Sequence, residues 1–179
     1  MTYVALLRGI NVGGNNRVEM PRLAKTFEQL GFKNVKTYIN SGNVIFESEV
    51  QQASKLSASI EKAIEQEFGF VVSVIVRDKN NISKVVEALP INWANNTDMK
   101  CDVMFLWDEF DTEDTLKQPS IRAELEDVSY VSGAIIWRIE RINVNRSGLP
   151  KIIGTPLYKK VTIRNCNTVR KLYALMNEK

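Results

Sequence analysis

The sequence predicts an α+β fold in two subdomains, and three observations carry that expectation. Short apolar, β-branched runs alternate with segments whose apolar residues recur at helical spacing. The first half reads strand, helix, strand, strand, helix, strand, which is the split βαβ plan of ferredoxin-like domains. A polar stretch without periodicity, residues 92–100, separates that half from a second run of similar outline. We therefore expect a ferredoxin-like (βαββαβ) subdomain at residues 1–90. A second, related α/β sandwich with a C-terminal helix should occupy 91–179.

Each element has a local signal. Tyr3 to Leu7 is an apolar run that ends in Arg8 and a loop rich in glycine and asparagine, Gly9-Ile10-Asn11-Val12-Gly13-Gly14-Asn15-Asn16. Pro21 then suits a helix start. Leu23, Phe27 and Leu30 fall at helical spacing, and Gly31 ends the helix. Asn34 to Ile39 and Val44 to Glu47 read as strands joined by the turn Asn40-Ser41-Gly42-Asn43. Leu56, Ile60, Ala63, Ile64 and Phe68 trace one helical stripe over Gln52 to Phe68, closed by Gly69. Phe70 to Val76 reads as a buried strand. A helix from about Asn81 to Leu89 stops at Pro90.

In the second half, Asp102 to Trp107 reads as a buried strand. One exposed helix is expected in the acidic stretch after it, ending near Gln118. Val128 to Val131 and Ala134 to Ile139 form a hairpin about Ser132-Gly133. Pro150 and Pro156 interrupt the next segment, leaving room for a short helix at Lys151 to Ile153. Val161 to Ile163 is a short last strand. Asn167 is placed as the cap of a final helix carrying Val169, Leu172, Tyr173 and Met176 on its apolar side.

Composition narrows the function classes. The 179 residues are 44% hydrophobic and 25% charged, as in ordinary globular proteins. No apolar run approaches the roughly 20 residues that span a bilayer. The start of the chain lacks the basic end and apolar core of a secretory signal. Two cysteines, Cys101 and Cys166, imply no disulfide framework, so a cytoplasmic location is expected, with no membrane partner. The absence of histidine excludes a Ser-His-Asp or Cys-His centre and any histidine-held metal. No metal site and no cofactor motif is read from the chain. The net charge of +3 is unevenly spread. Residues 108–127 carry eight acidic and two basic side chains, whereas 141–179 carry nine basic and one acidic. A basic end segment suits an anionic partner or a solvated face.

Four polar stretches are weighed for chemistry. Gly9 and Gly14 have the glycine spacing of a phosphate-binding P-loop, but Asn15 and Asn16 stand where its lysine and hydroxyl belong, and there is no GxGxxG. NTPase chemistry is thereby rejected. What remains is either a nest of backbone N–H groups with Arg8 beside it, or a glycine turn with Arg8 in a structural ion pair. Asn40 to Asn43 reads first as a hairpin turn. Thr162 to Thr168 places Arg164 and two asparagines near a helix start, where N–H groups favour anions. Arg146-Ser147-Gly148-Leu149 reads as a solvated loop. Cys166, near Arg164, reads as a reactive thiol of lowered pKa or as a small packing residue.

These stretches carry a resemblance. Ala5-Leu6-Leu7-Arg8-Gly9-Ile10-Asn11-Val12-Gly13-Gly14, Thr37-Tyr38-Ile39-Asn40-Ser41-Gly42-Asn43-Val44-Ile45-Phe46 and Thr162-Ile163-Arg164-Asn165-Cys166-Asn167-Thr168-Val169 closely resemble the domain of unknown function (DUF) 1697 family of bacterial proteins. The resemblance runs from about residue 2 to residue 176. It implies an α+β protein of two subdomains, the first ferredoxin-like, and no established activity. Arg8, Asn11, Gly13, Gly14, Ser41, Gly42, Asn43, Arg164, Asn165 and Thr168 match the family's signature by position. Two positions depart from it. Gly148 stands where a lysine is common, and Cys166 where a tryptophan is common.

The leading expectation is a protein that binds an anionic small molecule or nucleotide in a polar cleft between loops. Its ligand-binding residues would be Arg8, Asn11, Gly13, Gly14, Ser41, Asn43, Arg164, Asn165 and Thr168. An enzyme built on this site would work by positioning and electrostatics, since no conventional catalytic group is evident. One alternative is a nucleic-acid (RNA)-binding module that stacks bases on Tyr38 and Phe46, although no RNP-type motif is present. The other is a protein-interaction domain whose polar loops only lock the fold.

Overall fold

The structure is a computed structural model that describes all residues except 15, 118–120, 149–154 and 179. It contains two four-stranded antiparallel sheets with helices, an α+β architecture throughout. The chain forms two compact units. One comprises residues 1–80 with those from Leu172 on, and the other Asn81–Lys171. Asn81 is the first residue of the second unit. Within that unit Asn81 Nδ2 donates to Ser132 O at 2.8 Å.

In the first unit the elements run β1 (Thr2–Leu7), α1 (Met20–Gln29), β2 (Lys33–Tyr38), β3 (Asn43–Glu47), α2 (Ala53–Phe68) and β4 (Val74–Asp78). The sheet order is β2-β3-β1-β4, the arrangement a βαββαβ chain adopts when its two βαβ halves interlock. β1 lies antiparallel to both β3 and β4, with Ala5 opposite Val44 and Val76. Alternation along β1 sends Tyr3, Ala5 and Leu7 into the core beside Leu23 and Phe27 of α1 and Leu56, Ile60 and Ile64 of α2. Val4 and Leu6 point to the other face and are also fully buried. That burial explains why β1 reads as a continuous apolar run rather than an alternating one. Phe46 is the hub of an aromatic cluster, 5.7 Å from Tyr3, 5.5 Å from Phe27 and 4.5 Å from Phe32 between ring centroids. β4 starts at Val74 rather than Phe70.

α3 (Lys79–Ala88) spans the division between the units. The second unit continues with β5 (Met99–Leu106), β6 (Glu126–Val131), β7 (Ala134–Glu140), α4 (Pro156–Lys159), β8 (Val161–Asn165) and the start of α5 (Cys166–Asn177). Its sheet order, β6-β7-β5-β8, repeats the permutation of the first sheet. The acidic stretch holds two short 3-10 helices, Asp108–Phe110 and Glu113–Lys117, instead of the single helix expected. Thr115 accounts for the break, since it is buried and its hydroxyl donates to Phe110 O at 2.6 Å. The short helix expected at 151–153 lies outside the described residues. Among the described residues, no helix is long and apolar enough to cross a membrane.

Glu126 anchors the second unit. Its buried carboxylate accepts from Trp137 Nε1 at 2.5 Å, Ser147 Oγ at 2.8 Å, Gly148 N at 2.7 Å and Arg122 N at 3.0 Å. Ser147 and Gly148, read from sequence as part of a solvated loop, are thereby tied into the core, and both are buried. Burial alone raises a carboxyl pKa, but the four donors outweigh it and hold Glu126 below the usual value of 4.5. A folded pKa below the unfolded one gives stability that is present above the unfolded value and lost as pH falls through the folded one. Glu126→Gln presents an N–H group to donors, so we predict a loss of about 1–3 kcal/mol at pH 7. Urea titrations of both proteins from pH 7 to pH 3 should show the gap closing below pH 4.5.

Candidate functional site

The loop after β1 is a finger bent by left-handed backbone. Gly9, Asn11, Gly13, Gly14 and Asn16 all have positive φ, from 50° to 79°. Asn11 N donates to Asn16 O at 3.1 Å, so the finger closes on itself around the Gly13-Gly14 tip. Consecutive positive φ values of 61° and 79° match a primed turn, which explains why two glycines stand there. Among the described residues, the N–H groups of Gly13 and Gly14 make no hydrogen bond, and both residues are exposed.

Asn11 fixes the finger to its neighbours. Its Oδ1 accepts from Val18 N at 2.8 Å, and its Nδ2 donates to Val18 O and to Asn40 O, each at 2.9 Å. Both amide hydrogens are therefore spent on main-chain carbonyls. The turn between β2 and β3 is equally determined. Asn43 is fully buried, and its Nδ2 donates to Tyr38 O at 3.1 Å and Ser41 Oγ at 3.0 Å. Gly42 O accepts from Leu7 N at 2.8 Å. A Cβ at Gly42 would lie 2.7 Å from Leu7 Cβ and 2.9 Å from Ile10 Cδ1. Only glycine lets the turn pack this closely against the base of the finger. Ile39, a β-branched residue, sits beside it at φ 49° and is half exposed. That backbone is an outlier for isoleucine.

Finger, turn and helix start enclose a cleft of about 650 Å3. Asn11 and Gly14 line it from the finger, Asn40 from the turn, Arg17 and Val18 from the segment between, and Glu19, Met20 and Pro21 from the start of α1. α1 has no side-chain cap at Glu19 and no acidic residue in its first turn, and Pro21 lies in that turn. Its N-terminal partial positive charge therefore faces the cleft without a built-in counter-anion in the first turn. Arg17 and Glu19 are exposed, and among the described residues neither side chain makes a hydrogen bond or ion pair.

Of the residues expected to bind a ligand, Asn11 and Gly14 line this cleft. Gly13 stands beside Gly14 at the finger tip. Arg8 sits at the finger's root, partly buried, with its N–H donating to Ser73 O at 2.9 Å. Ser41 and Asn43 shape the turn rather than the cleft wall. Arg17 and Glu19 were not singled out from sequence, and Asn40 was read there only as part of the hairpin turn. The available signal was a cation and a carboxylate placed just ahead of the proline that starts α1.

Arg164, Asn165 and Thr168 belong to the second unit. Arg164 lies within β8, not at the helix start. It is buried, and its Nη1 donates to Thr162 Oγ1 at 3.1 Å and Ile163 O at 2.8 Å. Burial lowers its pKa to about 10, which leaves it cationic at neutral pH. Asn165, not Asn167, caps α5, since its Oδ1 accepts from Thr168 N at 2.9 Å. Asn167 is engaged elsewhere and exchanges two hydrogen bonds with the main chain of Asn95, at 2.9 and 3.2 Å. Asp102, near Lys100 Nζ at 3.4 Å, has its pKa raised by burial, opposed by that lysine.

Base stacking on Phe46 is excluded by its complete burial under the helices. Tyr38 remains partly exposed on the edge strand β2. Among the described residues, no three His, Cys, Asp or Glu side chains are grouped to hold a metal ion.

Two antiparallel sheets in the same strand order, with a glycine- and asparagine-built finger on the first, define a two-unit α+β protein. The chain belongs to the family described as protein of unknown function (DUF1697), whose model matches residues 1–137. It is also similar to the solved structure of the conserved bacterial protein SP0830 from Streptococcus pneumoniae. That likeness has 26% identity, covers 98% of each chain and has a TM-score of 0.83. No curated protein gives a significant match.

The two glycine sites should respond differently to a methyl group. Gly42→Ala meets both a strained φ and atoms under 3 Å away, so we predict a loss of about 3 kcal/mol. Gly14→Ala meets strain alone and should lose about 1 kcal/mol. Urea midpoints of the two variants and the parent test the contrast.

Proposed function

We propose that the first unit binds a phosphate-bearing small molecule, of nucleotide size, in the cleft between the finger, the β2–β3 turn and α1. The observation that carries this reading is the convergence of two kinds of anion-favouring backbone on one cavity. Gly14 at the finger tip supplies an N–H group without a partner among the described residues, with that of Gly13 beside it, and the uncapped start of α1 supplies a partial positive charge. A volume of about 650 Å3 suits a ligand of that class. Arg17 contributes a planar donor fork that suits phosphate.

The division of labour follows from the geometry. Arg17 and the tip amides take the ligand's charge. Asn11 and Asn43 act one step back and hold the finger and the turn in place. Met20, Val18 and Pro21 offer apolar contact to a ring. Glu19 accepts hydrogen bonds and disfavours a second anionic group near it. Its carboxylate offsets the charge of Arg17, so backbone geometry, not net charge, would supply selectivity. Among the described lining residues, Glu19 is the one carboxylate, and none is a histidine, cysteine, serine or lysine. Binding is therefore a better account of this cleft than acid–base or nucleophilic catalysis.

A thermal-shift series with inorganic phosphate, a nucleoside monophosphate and a nucleoside diphosphate tests the reading. We expect the nucleotides to raise Tm. Arg17→Ala should weaken binding by about tenfold or more, equivalent to about 1.4 kcal/mol or more. Equal shifts in parent and Arg17→Ala, or no shift with any of the three, would refute it.

A further inference from the structure

The second unit holds a pair of cysteines. β5 and β8 run antiparallel, with Val103 opposite Arg164 and Asp102 opposite Asn165. Cys101, next to Asp102, and Cys166, next to Asn165 and the first residue of α5, lie one step past the end of that ladder. The ladder pair beside them has Cα atoms about 4.5–5.5 Å apart, and a disulfide needs about 4.4–6.8 Å. The two thiols are close enough to shift each other's titration, and both are fully buried.

The two thiols differ in character. The neighbouring Cys101 thiol lowers the pKa of Cys166, and Arg170, one turn along α5, lowers it further, against the opposing effect of burial. The Cys166 sulfur and burial raise that of Cys101. Thiolate character thus concentrates on Cys166.

A strap, residues 90–98, lies over Cys166. Trp93 O is 3.9 Å from Cys166 Sγ. The strap is held by polar bonds. Arg170 donates to Trp93 O at 2.5 Å and Pro90 O at 2.7 Å, Asn167 pairs with Asn95, and Arg141 Nε donates to Asn96 O at 2.7 Å. Its Ile91 is 94% exposed, while Trp93 and Ala94 are partly and not fully buried.

We propose that Cys101 and Cys166 form a reversible intramolecular disulfide in response to a peroxide-class oxidant, with the strap controlling access. The Cys166 thiolate attacks one peroxide oxygen, the O–O bond breaks, and Cys166 becomes a sulfenic acid as hydroxide leaves and takes up a proton. Cys101 sulfur then attacks Cys166 sulfur, the S–S bond forms, the S–O bond breaks, and water departs with the Cys101 proton. The two sulfurs together lose two electrons, which reduce the peroxide to water, and a dithiol reductant returns them.

The test treats the full reduced chain with hydrogen peroxide, then unfolds it in the presence of iodoacetamide. We expect neither cysteine to alkylate, a cross-linked peptide pair containing Cys101 and Cys166, and recovery of both alkylations after dithiothreitol. Alkylation of both cysteines, a sulfinic acid on one with the other free, or an intermolecular disulfide overturns the proposal. In Cys101→Ser, Cys166 should advance to sulfinic acid. In Cys166→Ser, Cys101 should stay reduced, and its oxidation at the parent rate overturns the assigned roles. Asn167→Ala, which unpins the strap at Asn95, should speed disulfide formation several-fold. An unchanged rate overturns the gating by the strap.

Discussion

The side-chain amide of Asn11 is the contact on which the architecture of the first unit's cleft depends. Its oxygen and both its hydrogens are committed to the main chain of Val18 and Asn40. One residue thereby joins the finger, the approach to α1 and the β2–β3 turn. Asn11 itself adopts φ 54°, a conformation asparagine tolerates better than most residues. Gly42 completes the assembly by letting the turn's backbone reach Leu7 and Ile10. The exposed donors at the finger tip are held in place by buried hydrogen bonds at its root.

The two units share a strand permutation but solve different problems with it. In the first, the polar investment lies outside the sheet, in loops that leave donors facing solvent. In the second it lies inside, where one carboxylate gathers Trp137, Ser147, Gly148 and Arg122. A buried charge of this kind is tolerated because all its donors are present at once. The same topology thus supports an open cluster of polar loops on one sheet and a closed polar anchor beside the other.

Much of the fold was legible because periodicity reports burial directly. The stripe Leu56, Ile60, Ile64 gives α2 almost to the residue, and the alternating halves of the β6–β7 hairpin are placed by Ser132-Gly133. Single residues were harder. Asn167 reads from sequence as the helix cap, yet Asn165 fills that role, because Thr168 N points at its Oδ1. Val44, Ile45 and Phe46 form an unbroken apolar run within β3, which blurs the alternation that would show which side the helices cover. Thr115 breaks the acidic helix through one hydrogen bond to a main-chain oxygen, a contact with no pattern to read. The asparagines at 11 and 43 stood out as polar residues in loops. Their work for the backbone depends on neighbours that only folding brings within reach. Arg17 lay just past the stretch that its glycines made conspicuous.

The first unit is not continuous in the chain. Residues from Leu172 on belong to it, although the whole of 81–171 intervenes. The ion pair of Lys36 with Glu178, at 3.8 Å, is one of the contacts that close this loop. During synthesis the βαββαβ body emerges first and must wait for every residue of the second unit before its remaining segment arrives. Closing so long a loop has an entropic cost that grows only slowly with length, but it makes the contacts non-local and therefore late to form. The order of assembly is thus written into the connectivity, with the end of α5 set as the last piece of the unit that began first.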